Sequence, residues 1–186
     1  MNTKLLETIN VERQRYVDFF VEEIALLKKG EDTFATELPI QTNDETIPYP
    51  FNIVRVDFIT KDENDEHSIS ELRLDKNLNY STLELDFDNL KLFVNPFCWN
   101  SCEFQVDKID IAVLRDWLNK WLKIDDEIGD EELSIAVHSC TEPEINGDGL
   151  AFIIDFGTAT EIAFTEFLVV LNASGTRKVI IQTTEV

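Results

Sequence analysis

The residue types of a zinc or thiol site occur at four positions of the sequence, namely Cys98, Cys102, His138 and Cys140. A close pair of cysteines suits a structural zinc ion, and a cysteine beside a histidine suits nucleophilic chemistry. An extended strand would hold the sulfur atoms of Cys98 and Cys102 about 13 Å apart, which is too far to share one ion. The single residue between His138 and Cys140 is also an uncommon ligand spacing. We therefore expect inert core thiols, an ordinary surface histidine and no cofactor; a small zinc-binding or enzymatic domain centred on these four residues is the alternative.

Motifs typical of catalysis are not visible elsewhere in the sequence. His67 and His138 are the side chains suited to proton transfer near neutral pH, but the Gly-x-Ser-x-Gly motif of a nucleophilic serine is absent. The stretch 146–149 (Asn-Gly-Asp-Gly) lacks the lysine of a phosphate-binding loop and predicts a hairpin turn. We expect a protein that is not an enzyme.

Carboxylates are the most abundant groups available for binding. The 186 residues contain 37 Asp and Glu against 16 Lys and Arg, which gives a net charge of -21. This charge excludes nucleic-acid binding through a basic surface and disfavours contact with an anionic membrane. Because 44% of the residues are hydrophobic, the chain is expected to fold rather than remain a disordered acidic tail.

The acidic residues concentrate on one predicted strand face and in two predicted loops. Glu84, Asp86 and Asp88 alternate with apolar residues, so they should project from one side of a strand at intervals of about 7 Å, close to the spacing of successive phosphates in a nucleic-acid strand. We expect these carboxylates, with those of the two loops, to bind a basic partner by electrostatic attraction. The loop residues are Asp62, Glu63, Asp65 and Glu66 in the first, and Asp125, Asp126, Glu127, Asp130, Glu131 and Glu132 in the second.

Apolar residues at helical spacing predict two helices. The first extends from residue 10, or from Thr3, to residue 29, and an irregular connection containing Pro39, Pro48 and Pro50 follows it. The second covers about residues 109–123, with Asp107 or Asp110 as its cap. Its apolar stripe consists of Leu114, Trp117, Leu118, Trp121 and Leu122.

Alternating and β-branched segments predict the strands. A hairpin is expected between about residues 51 and 74, and further strands are expected at 83–87, 91–94, 102–106, 133–139, 150–156, 161–171 and 177–183. Short turns between successive strands favour antiparallel pairing. The expected fold is therefore α+β: a single domain over residues 1–186, with an antiparallel sheet and the helix at 109–123 packed on one of its faces. Residues 1–50 could form a semi-independent appendage.

The predicted location is the cytoplasm. The first residues lack the continuous apolar segment of a signal peptide, and no run of about 18 apolar residues is present to span a membrane. Three cysteines are few for a disulfide framework. We expect neither membrane contact nor direct binding of nucleic acid.

A family resemblance is carried by part of the second half of the sequence. This part begins with the strand at 83–87, continues through Phe104 and the helical sequence at 111–118, and includes the short strands that follow. It is similar to small bacterial immunity proteins from polymorphic-toxin and contact-dependent inhibition systems. The resemblance implies a protein that binds and blocks a cognate toxin, often a nuclease with a basic active-site cleft. It transfers no binding residues, because such proteins vary most at their interfaces. A phage-encoded inhibitor that mimics nucleic acid, such as an anti-CRISPR or anti-restriction protein, is the alternative.

Overall fold

Helices and two β-sheets make up the described part of the chain. The computed structural model describes residues 3–29, 33–61, 66–72, 74, 79–124 and 133–183. The α+β prediction is confirmed, with three helices and ten strands among these residues. In chain order the elements are α1 Thr3–Leu27, β1 Thr33–Gln41, β2 Ile53–Lys61, β3 His67–Ser70, β4 Leu83–Phe87, β5 Leu90–Val94, β6 Cys102–Val106, α2 Ile111–Leu122, β7 Ser139–Cys140, β8 Glu144–Asn146, β9 Gly149–Asp155, α3 Glu161–Ala173 and β10 Lys178–Thr183.

The strands form a small sheet and a large sheet. The small sheet has the order β1-β2-β3, and its hairpin β2–β3 confirms the hairpin predicted between residues 51 and 74. The large sheet has the order β4-β5-β10-β6-β9-β7, with β8 paired to β9. The antiparallel prediction is confirmed for every described strand pair except one, because β5 and β10 pair in parallel, and the strands form two sheets rather than one. β9 and β10 both run antiparallel to β6 and flank it on its two sides. The connection between them contains α3, which crosses over β6 and places β10 beside β5.

β1 replaces part of the predicted irregular connection. Residues 33–41 pair with β2, with Pro39 opposite Arg55. Proline is compatible with this position because β1 is at the edge of the small sheet, where one side of the strand needs no hydrogen-bond donors. Because Pro39 lies within this segment, the sequence pattern did not predict a strand here.

α2 forms as predicted, within two residues at its start. The Asp110 side chain accepts a hydrogen bond from the Ala112 amide and so caps the helix. The helix ends where Lys123 adopts a left-handed conformation with φ 46°. All five residues of the predicted apolar stripe are buried, namely Leu114, Trp117, Leu118, Trp121 and Leu122.

α3 occupies a segment for which a strand was predicted, so that prediction is wrong. Its buried residues recur at helical spacing, with Phe164, Phe167 and Leu171 on the inward face. Ile162 and Val169 are apolar although they are exposed. These two side chains hide the helical period, and the high content of Phe and Val resembles a strand composition. The strand predicted at 133–139 is also wrong, because within 133–140 only β7 is a strand.

The hydrophobic core lies against one face of the large sheet. Phe104 and Phe152 of the sheet stack at 5.8 Å between ring centroids, and Phe167 of α3 contacts both of them edge-on. Leu5 and Phe20 of α1 belong to the same continuous cluster, so α1 shares this core. No helix among the described residues is long and apolar enough to cross a bilayer.

Candidate functional site

An acidic strand forms one edge of the large sheet. Glu84 and Asp86 are exposed on β4, whereas Leu83 beside them is buried. Among the described residues, β4 pairs only with β5, so no described strand occupies its other side, which we call the open side. The predicted alternation is therefore correct for these two carboxylates. Asp88 differs from the prediction, because it begins the two-residue turn between β4 and β5 with φ 52°, so it lies beyond the strand face.

Basic side chains occupy the next strands on the same face of the sheet. Lys91 lies opposite Asp86, and Lys178 lies beside Lys91 in the parallel pair. The two ammonium groups lie 5.6 Å and 5.5 Å from the centroid of the Phe93 ring. This end of the sheet therefore presents an acidic surface one strand wide, which we call the acidic edge and define by Glu84, Asp86 and Asp88.

The two predicted acidic loops fall largely outside the described residues. Glu66 is exposed immediately before β3. The other predicted partner-binding residues of the loops, Asp62, Glu63, Asp65, Asp125, Asp126, Glu127, Asp130, Glu131 and Glu132, lie in segments that the structure does not describe. The acidic edge is therefore the part of the predicted binding surface that has a defined geometry.

A cleft opens where α1 approaches the start of β4. Its volume is about 360 Å³, and its walls come from one face of α1 and from the residues leading into β4. Val11, Tyr80 and Leu83 are the large apolar residues of its lining. Thr8 adds a hydroxyl group, and Lys4 and Glu7 add charged groups. The Tyr80 hydroxyl is oriented by donating to the Asn95 carbonyl at 2.9 Å. The cleft therefore adjoins the acidic edge and could accept an apolar side chain.

The four residues of the zinc alternative, Cys98, Cys102, His138 and Cys140, are not brought together as a ligand set. Cys102 on β6 and Cys140 on β7 both pair with Ile154 of β9, which lies between these two strands. Their backbones are therefore two strand spacings apart, about 10 Å. Burial raises the pKa of the Cys98, Cys102 and Cys140 thiols above the ordinary value. Protonated thiols are poor nucleophiles and poor metal ligands. Within the described residues, no group of three or more His, Cys, Asp or Glu side chains is arranged to hold a metal ion.

His138 lies in a buried polar centre, so the prediction of an ordinary surface histidine is wrong. Its side chain is 1% exposed and sits between two carboxylates. Nε2 is 2.9 Å from Glu37 Oε1, and Nδ1 makes an ion-pair contact of 3.1 Å with Asp57 Oδ1. Glu37 and Asp57 face each other across β1 and β2, between the pairs Thr36–Phe58 and Leu38–Val56. The left-handed backbone of Glu37, with φ 52°, interrupts the strand pairing at this point.

Further donors satisfy both carboxylates. Glu37 accepts hydrogen bonds from the Ser134 amide at 2.7 Å, from the Ser134 hydroxyl at 2.5 Å and from the Thr158 hydroxyl. Asp57 accepts one from the Tyr16 hydroxyl at 2.8 Å and one from the Leu72 amide at 2.6 Å. Hydrogen bonds of this number allow the two carboxylates to remain buried, while Nδ1 of His138 makes its ion-pair contact with Asp57 without a well-aligned hydrogen bond.

The pKa shifts in this centre follow from burial and from the paired charges. Burial alone would lower the pKa of His138, but its contacts with Asp57 and Glu37 outweigh burial and raise that pKa to about 10. Burial opposes ionisation of Glu37, yet the hydrogen bonds from His138, Ser134 and Thr158 leave its pKa below the ordinary value. Burial raises the pKa of Asp155 to about 7, although the His138 cation counteracts part of this effect. At neutral pH, His138 is therefore a cation held by the Glu37 carboxylate.

Together these contacts connect the two sheets and α1. Glu37 and Asp57 belong to the small sheet, His138 leads into β7 of the large sheet, and Tyr16 belongs to α1. Arg55 reinforces the connection: its guanidinium group donates to the carbonyl oxygens of Leu122, Glu37 and Lys123. Because the Glu37 and His138 side chains are at most 1% exposed, they do not contact solvent. They join the small sheet to the β7 side of the large sheet, at the opposite end of its strand order from β4.

This polar centre was not predicted from the sequence. Arg55 and Asp57 alternate with apolar residues of β2, a pattern typical of a half-exposed strand, yet both are buried. Glu37 lies in the segment predicted to be irregular. The available signal was the apolar run Ala136–Val137 directly before His138, which is typical of a buried segment. No protein-family model matches the chain, and no characterised protein or solved structure is significantly similar to it.

Proposed function

We propose that this protein is a non-catalytic acidic binding protein that occupies a basic surface of a partner protein, as small immunity proteins do when they neutralise a nuclease-type toxin. The observation that carries the proposal is the acidic edge, where Glu84 and Asp86 are exposed on a strand whose neighbour Leu83 is anchored in the core. A strand backbone fixed in this way loses little conformational freedom on binding.

The overall charge supports the same proposal. A net charge of -21 attracts a basic partner over distances of about a Debye length, roughly 8 to 10 Å at physiological salt, and accelerates association. Carboxylates that are two residues apart on a strand lie about 7 Å apart, which is close to the spacing of phosphates along a nucleic-acid strand. A nuclease or another nucleic-acid-binding effector has a basic groove suited to such a series of charges.

Charge reversal at the acidic edge tests the proposal. A variant with Glu84→Lys, Asp86→Lys and Asp88→Lys is expected to bind its basic partner at least about tenfold more weakly at low salt, because attraction becomes repulsion. The partner is captured from the native host with immobilised protein at low salt and released at high salt. Affinities of both forms are then measured by titration calorimetry at several salt concentrations.

A matched variant controls for the change in total charge. Glu142, Glu144 and Asp148 are exposed at the opposite end of the same sheet, on and around β8. Reversing these three to Lys changes the net charge by the same amount and should weaken binding much less. Equal losses for the two triple variants, or capture of an acidic partner, would contradict the proposal. Circular dichroism of each variant shows that the fold is retained.

A further inference from the structure

The backbone of β4 has hydrogen-bonding groups directed away from the sheet. On β5, the Lys91 amide donates to the Arg177 carbonyl at 2.8 Å, and just after β5 the Asn95 amide donates to the Ile181 carbonyl at 2.9 Å. The backbone hydrogen-bonding groups of these odd-numbered residues therefore point towards β10. The backbone groups of the even-numbered residues of β5 therefore point towards β4, where these residues pair with Leu83, Leu85 and Phe87. Because hydrogen bonding alternates along a strand, the N–H and C=O groups of Glu84 and Asp86 point outward from the edge.

The side chains of β4 present different chemistry on the two faces. Glu84 and Asp86 are exposed on one face, whereas Leu85 and Phe87 on the other face are only partly covered by the core. The cleft beside Val11 and Leu83 continues this apolar face at the start of the strand. An added strand would therefore meet carboxylates on one side and incompletely buried apolar groups on the other.

Charge argues against a second copy of the chain as the added strand. In a two-fold antiparallel pair of β4 strands centred on Leu85, Glu84 of each copy would lie opposite Asp86 of the other. Like charges that face each other directly destabilise a strand pair. A segment with basic residues at the corresponding positions has the opposite effect.

We propose that β4 receives an extended segment of the basic partner as an additional antiparallel strand, with the residue pattern apolar–basic–apolar–basic–apolar. This inference rests on the proposed function and specifies which part of the partner binds. The two basic residues lie opposite Glu84 and Asp86 and exchange backbone hydrogen bonds with them, while the apolar residues cover Leu85 and Phe87. A further apolar residue beside this pattern enters the cleft. Antiparallel pairing is the more stable arrangement per residue.

A synthetic peptide with this pattern tests the proposal on the unmodified protein. The probe is fluorescein-labelled Gly-Val-Lys-Val-Lys-Val-Gly, and its binding is followed by fluorescence anisotropy. Methylation of the two lysine amide nitrogens removes the donors that face β4, and it is expected to weaken binding at least about tenfold. Methylation of the outer two valine amides, which face away, should change affinity by less than about twofold. Equal effects of the two methylation patterns would overturn the proposal.

A pair of protein variants provides the complementary test. Asp86→Asn removes one charge, whereas Asp86→Pro removes the same charge together with the outward amide hydrogen. Proline is tolerated here because the missing hydrogen is not used between β4 and β5. We expect the Asp86→Pro variant to bind the peptide at least about fivefold more weakly than the Asp86→Asn variant. If the proline variant fails to fold, the methylated peptides still decide the question.

The captured partner separates failure of this inference from failure of the proposed function. Suppose that the partner loses affinity for the charge-reversed triple variant but binds the Asp86→Pro and Asp86→Asn variants equally. The acidic edge would then bind by charge without strand addition, so this inference would be wrong and the proposed function would stand. If charge reversal at the acidic edge also has no effect, the proposed function is wrong as well.

Discussion

Replacing His138 with alanine is expected to lower the free energy of unfolding by about 3 to 5 kcal/mol at pH 7, the usual loss when one partner of a buried ion pair is removed. The substitution leaves the Glu37 carboxylate, together with Asp57 nearby, without its cation in the protein interior. Denaturation with guanidinium chloride, followed by tryptophan fluorescence, measures the change. His67→Ala is the matched control, because His67 is exposed at the start of β3 and its loss should cost less than about 0.5 kcal/mol.

The pH dependence of stability distinguishes this ion pair from simple packing. The pKa of His138 is raised from 6.5 to about 10, so its stabilising contribution is complete below pH 6.5 and disappears as the pH rises through about 10. The pKa of Asp155 is raised to about 7, so its burial adds a penalty that grows as the pH rises from the ordinary aspartate range to about 7. The lowered pKa of Glu37 acts in the opposite direction, and its contribution is lost as the pH falls below 4.5.

The wild-type protein should therefore be most stable in mildly acidic solution and lose stability steadily towards pH 10. The His138→Ala variant should lack most of the loss between about pH 7 and 10. Unfolding free energies measured across this range test both statements. Parallel curves for the two proteins would mean that His138 is neutral in the fold, which contradicts the account of the polar centre.

Replacing Gly157 with alanine should have a comparably large effect, about 3 kcal/mol or more. The backbone of Gly157 is left-handed, with φ 49°, and an added Cβ would lie 2.0 Å from Cδ2 of His138. The Gly157 amide also donates to Asp155 at 2.8 Å, and its carbonyl accepts from the Trp99 indole at 2.9 Å. The backbone is therefore held on both sides and cannot move away from the imidazole ring.

Gly147 provides the control for backbone strain without a steric clash. It has φ 59°, but an added Cβ would meet no atom within 4 Å. Gly147→Ala should therefore cost only the strain of a left-handed alanine, about 1 kcal/mol. Thermal unfolding of both variants by calorimetry gives the comparison. Equal losses would show that the close contact between Gly157 and His138 does not limit the fold.

Local sequence patterns were sufficient to predict elements that have one buried face and one solvent-exposed face. α2 has a strict apolar stripe and a capping aspartate, and β4 alternates without interruption, so both were predicted nearly residue by residue. α3 was not predictable in this way, because apolar Ile162 and Val169 occupy its exposed side. β1 was missed because Pro39 lies within it, at an edge where proline does no harm.

The polar centre depends on residues that are distant in the sequence. Glu37, Asp57 and His138 meet only because β1, β2 and the segment before β7 converge, and no local pattern contains that information. The acidic edge was easier to predict, because strand alternation determines where Glu84 and Asp86 point. The open side of β4 was not predictable, since it depends on the strand order of the large sheet.

The central claim is that a basic partner binds along the open edge of β4. Amide hydrogen exchange, resolved by residue with NMR, tests this claim most directly when it is measured on the free protein and on the complex with the captured partner. We expect exchange at Glu84 and Asp86 to slow at least about tenfold in the complex, while exchange at Glu142 and Glu144 at the opposite end of the sheet stays unchanged. Unchanged exchange at Glu84 and Asp86 in the complex, with new protection elsewhere, would contradict the claim.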